Sequence, residues 1–128
     1  MCRNSTTAST EAPLPPDPTP APSSTDILRG TLDLLILKAL SLEPMHGWAI
    51  AQRIEQLSRD ALHVGQGSLY PALQRLEEKG WIESGWREVG GRRVKFYELT
   101  RSGRGAFDAE TAQWRRYVDT VELILGTT

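Results

Sequence analysis

The segment Gly67-Ser68-Leu69-Tyr70-Pro71-Ala72-Leu73-Gln74-Arg75-Leu76-Glu77-Glu78-Lys79-Gly80 constrains this chain more than any other. Leu69, Leu73 and Leu76 recur at helical spacing, and Gly80 suits the left-handed position that stops a helix. Two stretches suited to strands follow, Trp81 to Arg87 and Arg92 to Leu99, with Val89-Gly90-Gly91 as the turn. A short helix shaped for a groove, beside a hairpin with Arg92 and Arg93 at its tip, is the layout of a winged helix-turn-helix on DNA.

The rest of the chain fits around that unit. Leu32, Leu35, Ile36, Ala39 and Leu40 predict a helix from Thr31 to Leu42, ended by Glu43-Pro44. Ile50, Ile54 and Leu57 predict a second, from about His46 to Leu57. A loop around Leu62 to Gln66 is expected next, with Gly65 and Gly67 as flexible points. Ser68 is the expected N-cap of the third helix. Pro71 then falls where a missing backbone N–H costs little. Residues 1–26 are rich in Pro, Ser and Thr and carry too little apolar surface to offset their ordering entropy, so a disordered tail is expected.

After Thr100-Arg101-Ser102-Gly103 the apolar spacing changes. Phe107, Trp114 and Val121 recur every seven residues, Thr111, Val118 and Leu125 fill the second heptad position, and Tyr117 and Ile124 widen the stripe. The expected class is therefore mainly α with a small β-hairpin. A winged helix-turn-helix spans 27–100, and a dimerisation helix spans 101–128.

The 128 residues suffice for one domain with appendages. A net charge of -1 excludes a chain that is basic throughout, but the charge that matters for DNA is local. The single cysteine, Cys2, excludes an intramolecular disulfide and suits a reducing cytoplasm. Cys2, His46 and His63 do not make a metal site by themselves. His46 is expected at a helix start or core edge, and His63 on a loop surface. The sequence has no apolar run long enough to span a membrane and no secretory signal core. It shows no nucleophile–base pairing, P-loop or ligand set, so neither an enzyme nor a cofactor is expected.

On the third helix, Pro71, Gln74, Arg75 and Glu78 turn outward, with Tyr70 on the flank. Ser68 and Tyr70 lie near the helix N-terminus, where hydroxyls and free N–H groups can hold a phosphate. Gln74 can pair with an adenine edge, and Arg75 with a guanine edge or a phosphate. The plainer alternative is that these are ordinary solvated residues of a small helix. Glu77 can be turned aside, while Glu78 opposes DNA unless the last turn lifts it from the bases. The hairpin sets Arg87, Arg92, Arg93 and Lys95 against Glu88 near the tip, and Gly90 and Gly91 let the backbone approach a partner. Trp114 is expected either at a dimer seam or in a ligand pocket between two subunits.

Several blocks, in order, resemble the PadR family of bacterial transcriptional regulators. They are Leu28-Arg29-Gly30-Thr31-Leu32-Asp33-Leu34-Leu35-Ile36-Leu37, His46-Gly47-Trp48, Ile50-Ala51-Gln52-Arg53-Ile54, Gly67 to Leu73, Leu76-Glu77, Gly91-Arg92-Arg93 and Tyr97-Glu98-Leu99-Thr100. The resemblance covers nearly everything after residue 26. It implies a homodimeric winged-helix repressor that binds an inverted repeat, paired through its C-terminal helix. Some members release DNA when a phenolic acid or a planar apolar drug binds. It carries DNA contacts onto Ser68, Tyr70, Pro71, Arg75, Gly91, Arg92 and Arg93. The family commonly has Tyr where this chain has Trp48. The short C-terminal segment matches the branch that has one C-terminal helix.

The combined expectation is a cytoplasmic, homodimeric repressor on a palindromic operator in double-stranded DNA, relieved by a small aromatic effector. The alternative is a winged-helix protein-interaction module.

Overall fold

The computed structural model describes residues 30–127. The expected tail over 1–26, with Cys2, and the Leu28-Arg29 start of the first matched block lie outside the described residues.

Helix α1 (Thr31–Leu42) buries Leu32, Ile36, Leu37, Ala39 and Leu40, and ends where Glu43 turns extended before Pro44. Met45 and His46 form a short strand, β1, that sequence reasoning did not foresee. Two residues give no alternation to read, so only pairing reveals them. His46 then caps α2 (Gly47–Leu57), its Nδ1 accepting from the Ala49 N–H at 3.2 Å. Ile50, Ala51 and Ile54 face inward. Leu57, expected on the same stripe, is exposed, because α2 stops there and the chain swings away through left-handed Arg59 and Asp60.

Helix α3 (Gln66–Glu78) starts earlier than expected: its N-cap is Gly65 and not Ser68. Gly65 carbonyl accepts from the N–H groups of both Ser68 and Leu69. Gly67 is therefore helical rather than a loop hinge. Pro71 lies beyond the first turn, so its ring removes an intrahelical bond that Gly67 carbonyl would otherwise receive. That carbonyl lies at an exposed glycine, where water can satisfy it. Leu69, Ala72, Leu73 and Leu76 supply the buried face. The helix closes as expected at left-handed Gly80, with Trp81 N–H bonded to Leu76 carbonyl and Gly80 N–H to Glu77 carbonyl.

Strands β2 (Ile82–Val89) and β3 (Arg92–Leu99) form the hairpin. Gly90 and Gly91 both have positive φ, which a two-residue hairpin turn of this hand requires. β1 adds to β3 with Met45 opposite Tyr97, so the sheet order is β1–β3–β2, all antiparallel. Tyr97 and Leu99 point into the core.

Helix α4 (Arg101–Leu125) is about 37 Å long at 1.5 Å per residue. Thr100 caps it and clasps the end of α3 at once. Its Oγ1 accepts from Gly103 N–H and donates to Gly80 carbonyl at 2.7 Å, and Ser102 Oγ donates to the same carbonyl. Gly103 is the one buried residue of α4, and a Cβ there would strike the Trp81 carbonyl oxygen. One core joins α1, α2, α3 and the sheet, with Trp81 and Phe107 packed on its edge.

Candidate nucleic-acid interface

The exposed side of α3 carries Tyr70, Pro71, Gln74, Arg75 and Glu78, as the helical step requires. Ser68 is half-buried in the first turn. Glu77 is turned aside, accepting from Ser84 Oγ of β2 at 2.6 Å. Arg75 donates through Nη2 to Asp33 of α1 at 2.9 Å, so one end of its guanidinium is committed within the fold. Sequence spacing did not reveal that pair, which spans two helices 42 residues apart.

Tyr70 rests on Gly47. A Cβ at Gly47 would lie 2.8 Å from the Tyr70 hydroxyl oxygen, so the glycine of His-Gly-Trp makes room for the ring. His46, Gly47 and Trp48 from the start of α2, Tyr70 from α3 and Val94, Lys95 and Tyr97 from β3 line one cleft of about 290 Å³. Trp48 is exposed and stacks on His46, with ring centroids 6.1 Å apart and planes 9° from parallel. His46 also meets Phe96 edge-on at 5.7 Å. The structure thus brings the N-terminal half of α3, the start of α2 and the hairpin to one side of the domain.

Within the hairpin the cations differ in their surroundings. Arg87 sits 4.6 Å over Phe96 and 3.8 Å from Glu98. Arg93 sits 5.0 Å over Trp86, and Lys95 5.7 Å from the Tyr97 ring. Among the described residues the Arg92 guanidinium has no ion pair, side-chain hydrogen bond or ring contact. Burial, reinforced by the Glu77 charge and by Tyr70, pushes the Tyr97 phenol above its ordinary 10.0.

The residues expected along the dimer seam separate into two sets. Phe107 is half-buried and packs against the core of its own chain. Thr111, Trp114, Val118 and Val121 are half-buried, whereas Tyr117, Ile124 and Leu125 are exposed. Leu123, outside the heptad pattern, is also exposed on the far side of the helix. The ligand pocket expected between subunits has a counterpart within one chain. Trp114 and Tyr117, with Glu110 and Gln113, face Gly30, Thr31 and Leu34 across a cleft of about 400 Å³. Trp114 and Tyr117 are 6.1 Å apart between ring centroids.

Among the described residues no group of three or more His, Cys, Asp or Glu side chains is placed to hold a metal. No described helix is long and apolar enough to cross a membrane.

The fold has counterparts among known proteins. The transcriptional regulator PadR-like family matches residues 36–109. The chain is 38% identical over 78 residues to transcriptional regulator Rv3488 of Mycobacterium tuberculosis, covering 61% of this chain and 70% of that one. It is 30% identical over 102 residues to uncharacterized protein X of Lysinibacillus sphaericus, covering 78% and 93%. The crystal structure of a PadR family transcriptional regulator from Eggerthella lenta superposes with a TM-score of 0.68 at 33% identity, over 78% of this chain and 86% of that one. The match takes in α2, α3, the hairpin and the first part of α4 together, and the chain belongs to the PadR-like family of transcriptional regulators.

Proposed function

We propose that the chain is a homodimeric repressor that binds a specific DNA sequence. One observation carries this reading: Tyr70 of α3 and Lys95 of the hairpin line the same cleft. A recognition helix and a basic wing on one side of a domain can meet a groove and its flanking backbone together. Ser68, Tyr70 and Pro71 suit phosphate and sugar contact near the helix N-terminus. Gln74 is the residue best suited to read a base, through the paired donor and acceptor of its amide on an adenine edge. Arg75 keeps its remaining donors for a phosphate or guanine edge while Asp33 holds Nη2. Arg87, Gly91, Arg92, Arg93 and Lys95 form the wing contacts, in the cytoplasm where the chromosome lies.

The exposed stripe on α4 supports the dimer. Tyr117, Ile124 and Leu125 are 58%, 66% and 71% exposed, which is unusual for large apolar side chains on one helix face. Pairing of this stripe with a second copy would cover it. Two-fold symmetry then requires a palindromic operator with half-sites about 34 Å apart. The cleft beside Trp114 has the size and aromatic lining to take a small aromatic effector, which would release DNA by changing how α4 sits on α1.

The test is binding of the purified full chain to DNA from upstream of its own gene and to a scrambled duplex, across a salt series. Tight binding to one duplex, falling steeply with salt, is expected. Binding to neither duplex at low salt would favour a winged helix that binds protein instead.

A further inference from the structure

Trp86 has no role in the core, yet it is a large apolar side chain left 59% exposed on the hairpin. The register explains its neighbours. Trp86 is directly opposite Lys95, and Glu88 is opposite Arg93. Strand alternation puts Trp86, Glu88, Arg93 and Lys95 on one face and Arg87, Val89, Arg92 and Val94 on the other. Trp86 is therefore bracketed by two cations, one straight across and one diagonal. The diagonal one, Arg93, lays its guanidinium over the indole at 5.0 Å. Arg92, its neighbour in sequence, points to the opposite face, its guanidinium unpartnered among the described residues.

We propose that Trp86 is a positioning residue for the wing: its indole holds Arg93 flat and ready, and its uncovered face packs on the deoxyribose of the backbone that Arg93 and Lys95 contact. This rests on the DNA-binding reading above. The choice of DNA sugar and phosphate follows from the mixture on this face, an apolar ring between two cations, which matches a sugar between two phosphates. The two adjacent arginines then act differently. Arg93 is ordered before binding and loses little freedom when it meets a phosphate, because the planar guanidinium is already fixed. Arg92 is ordered by the DNA itself and contributes as a free charge.

The experiment uses the full chain and a duplex enriched by it from a random pool, with affinity measured across salt. Trp86→Ala is expected to weaken binding about two- to fivefold, the range of an exposed cation–π contact. Arg93→Ala is expected to weaken it further, and Trp86→Ala should cost clearly less in the Arg93→Ala background than in the parent, leaving only the sugar contact to lose. Trp86→Phe keeps a ring face and should recover most of the loss. Arg92→Ala should lower affinity independently of Trp86 and reduce the salt slope by about 0.9 per protomer. Thermal midpoints of these exposed variants should stay close to that of the parent, separating positioning from folding. Unchanged affinity in Trp86→Ala, or losses from Trp86→Ala and Arg93→Ala that simply add, would overturn the proposal while leaving DNA binding intact. A parent chain that enriches no duplex would overturn both.

Discussion

Arg75 Nη2 and Asp33 Oδ1 lie 2.9 Å apart, tying α3 to α1. Asp33 is 16% exposed at its side chain and Arg75 53%, so the pair sits at the edge of the core. A pair this exposed is expected to contribute only about 0.5 kcal/mol. A double-mutant cycle of Asp33→Ala and Arg75→Ala, read by urea unfolding, checks this. Coupling near that value is expected, and strictly additive losses would show an idle pair.

Gly103 is where α4 crosses the Trp81 carbonyl, and backbone cannot move aside as a side-chain tip can. Gly103→Ala is therefore expected to cost about 3 kcal/mol, the upper end for overpacking, and to lower the thermal midpoint clearly. Gly105, two residues on in the same helix, has open space at its Cβ. Gly105→Ala is expected to stabilise by about 0.5–1 kcal/mol, from the better helix propensity of alanine. Equal effects at the two glycines would contradict the close approach.

Helices α1, α2 and α4, both long strands and the glycine stop after α3 were legible because each rests on local patterning. Leu32, Ile36 and Leu40 repeat along α1, and Gly90-Gly91 demands a tight turn. Four features were not legible, for physical reasons. β1 exists only through its pairing with Tyr97 and Phe96, a long-range event. Ser68 is a strong capping residue by type, but Gly65 holds the cap, its carbonyl already accepting from the N–H groups of Ser68 and Leu69. The Arg75–Asp33 pair and the Trp86–Arg93 stack depend on which elements lie side by side, which periodicity does not encode. For Trp86 the strand alternation held a signal: a tryptophan beyond the part of the strand that reaches the core.

Gly47 makes room for Tyr70, so enlarging it should displace the DNA contact proposed for Tyr70 more than it harms the fold. In Gly47→Ala the new methyl meets the tip of an exposed ring, which can swing away. Stability is expected to change by less than about 1 kcal/mol. DNA affinity should fall, and in a Tyr70→Ala background the same change should have little further effect. A full additional loss in that background would mean that Gly47 acts on DNA by another route.

The Tyr97 phenol is held protonated in the folded chain by burial, by the Glu77 charge and by Tyr70. The unfolded chain releases this proton near 10.0, and the folded chain holds it to higher pH. Stability from this group is thus complete below 10.0 and declines as pH rises from there toward the folded-state value. Thermal midpoints from roughly pH 8 to 11 should fall less steeply in Tyr97→Phe than in the parent. Parallel curves would remove Tyr97 from the alkaline transition.

The most direct test of the account is enrichment of duplexes from a random pool by the full chain, with the mass of the bound complex measured on the enriched DNA. The expected result is an inverted repeat with half-sites about one helical turn apart, bound by two copies and released by added salt. A pool that stays random, or an asymmetric site bound by one copy, would contradict a symmetric dimer reading DNA through α3 and the hairpin.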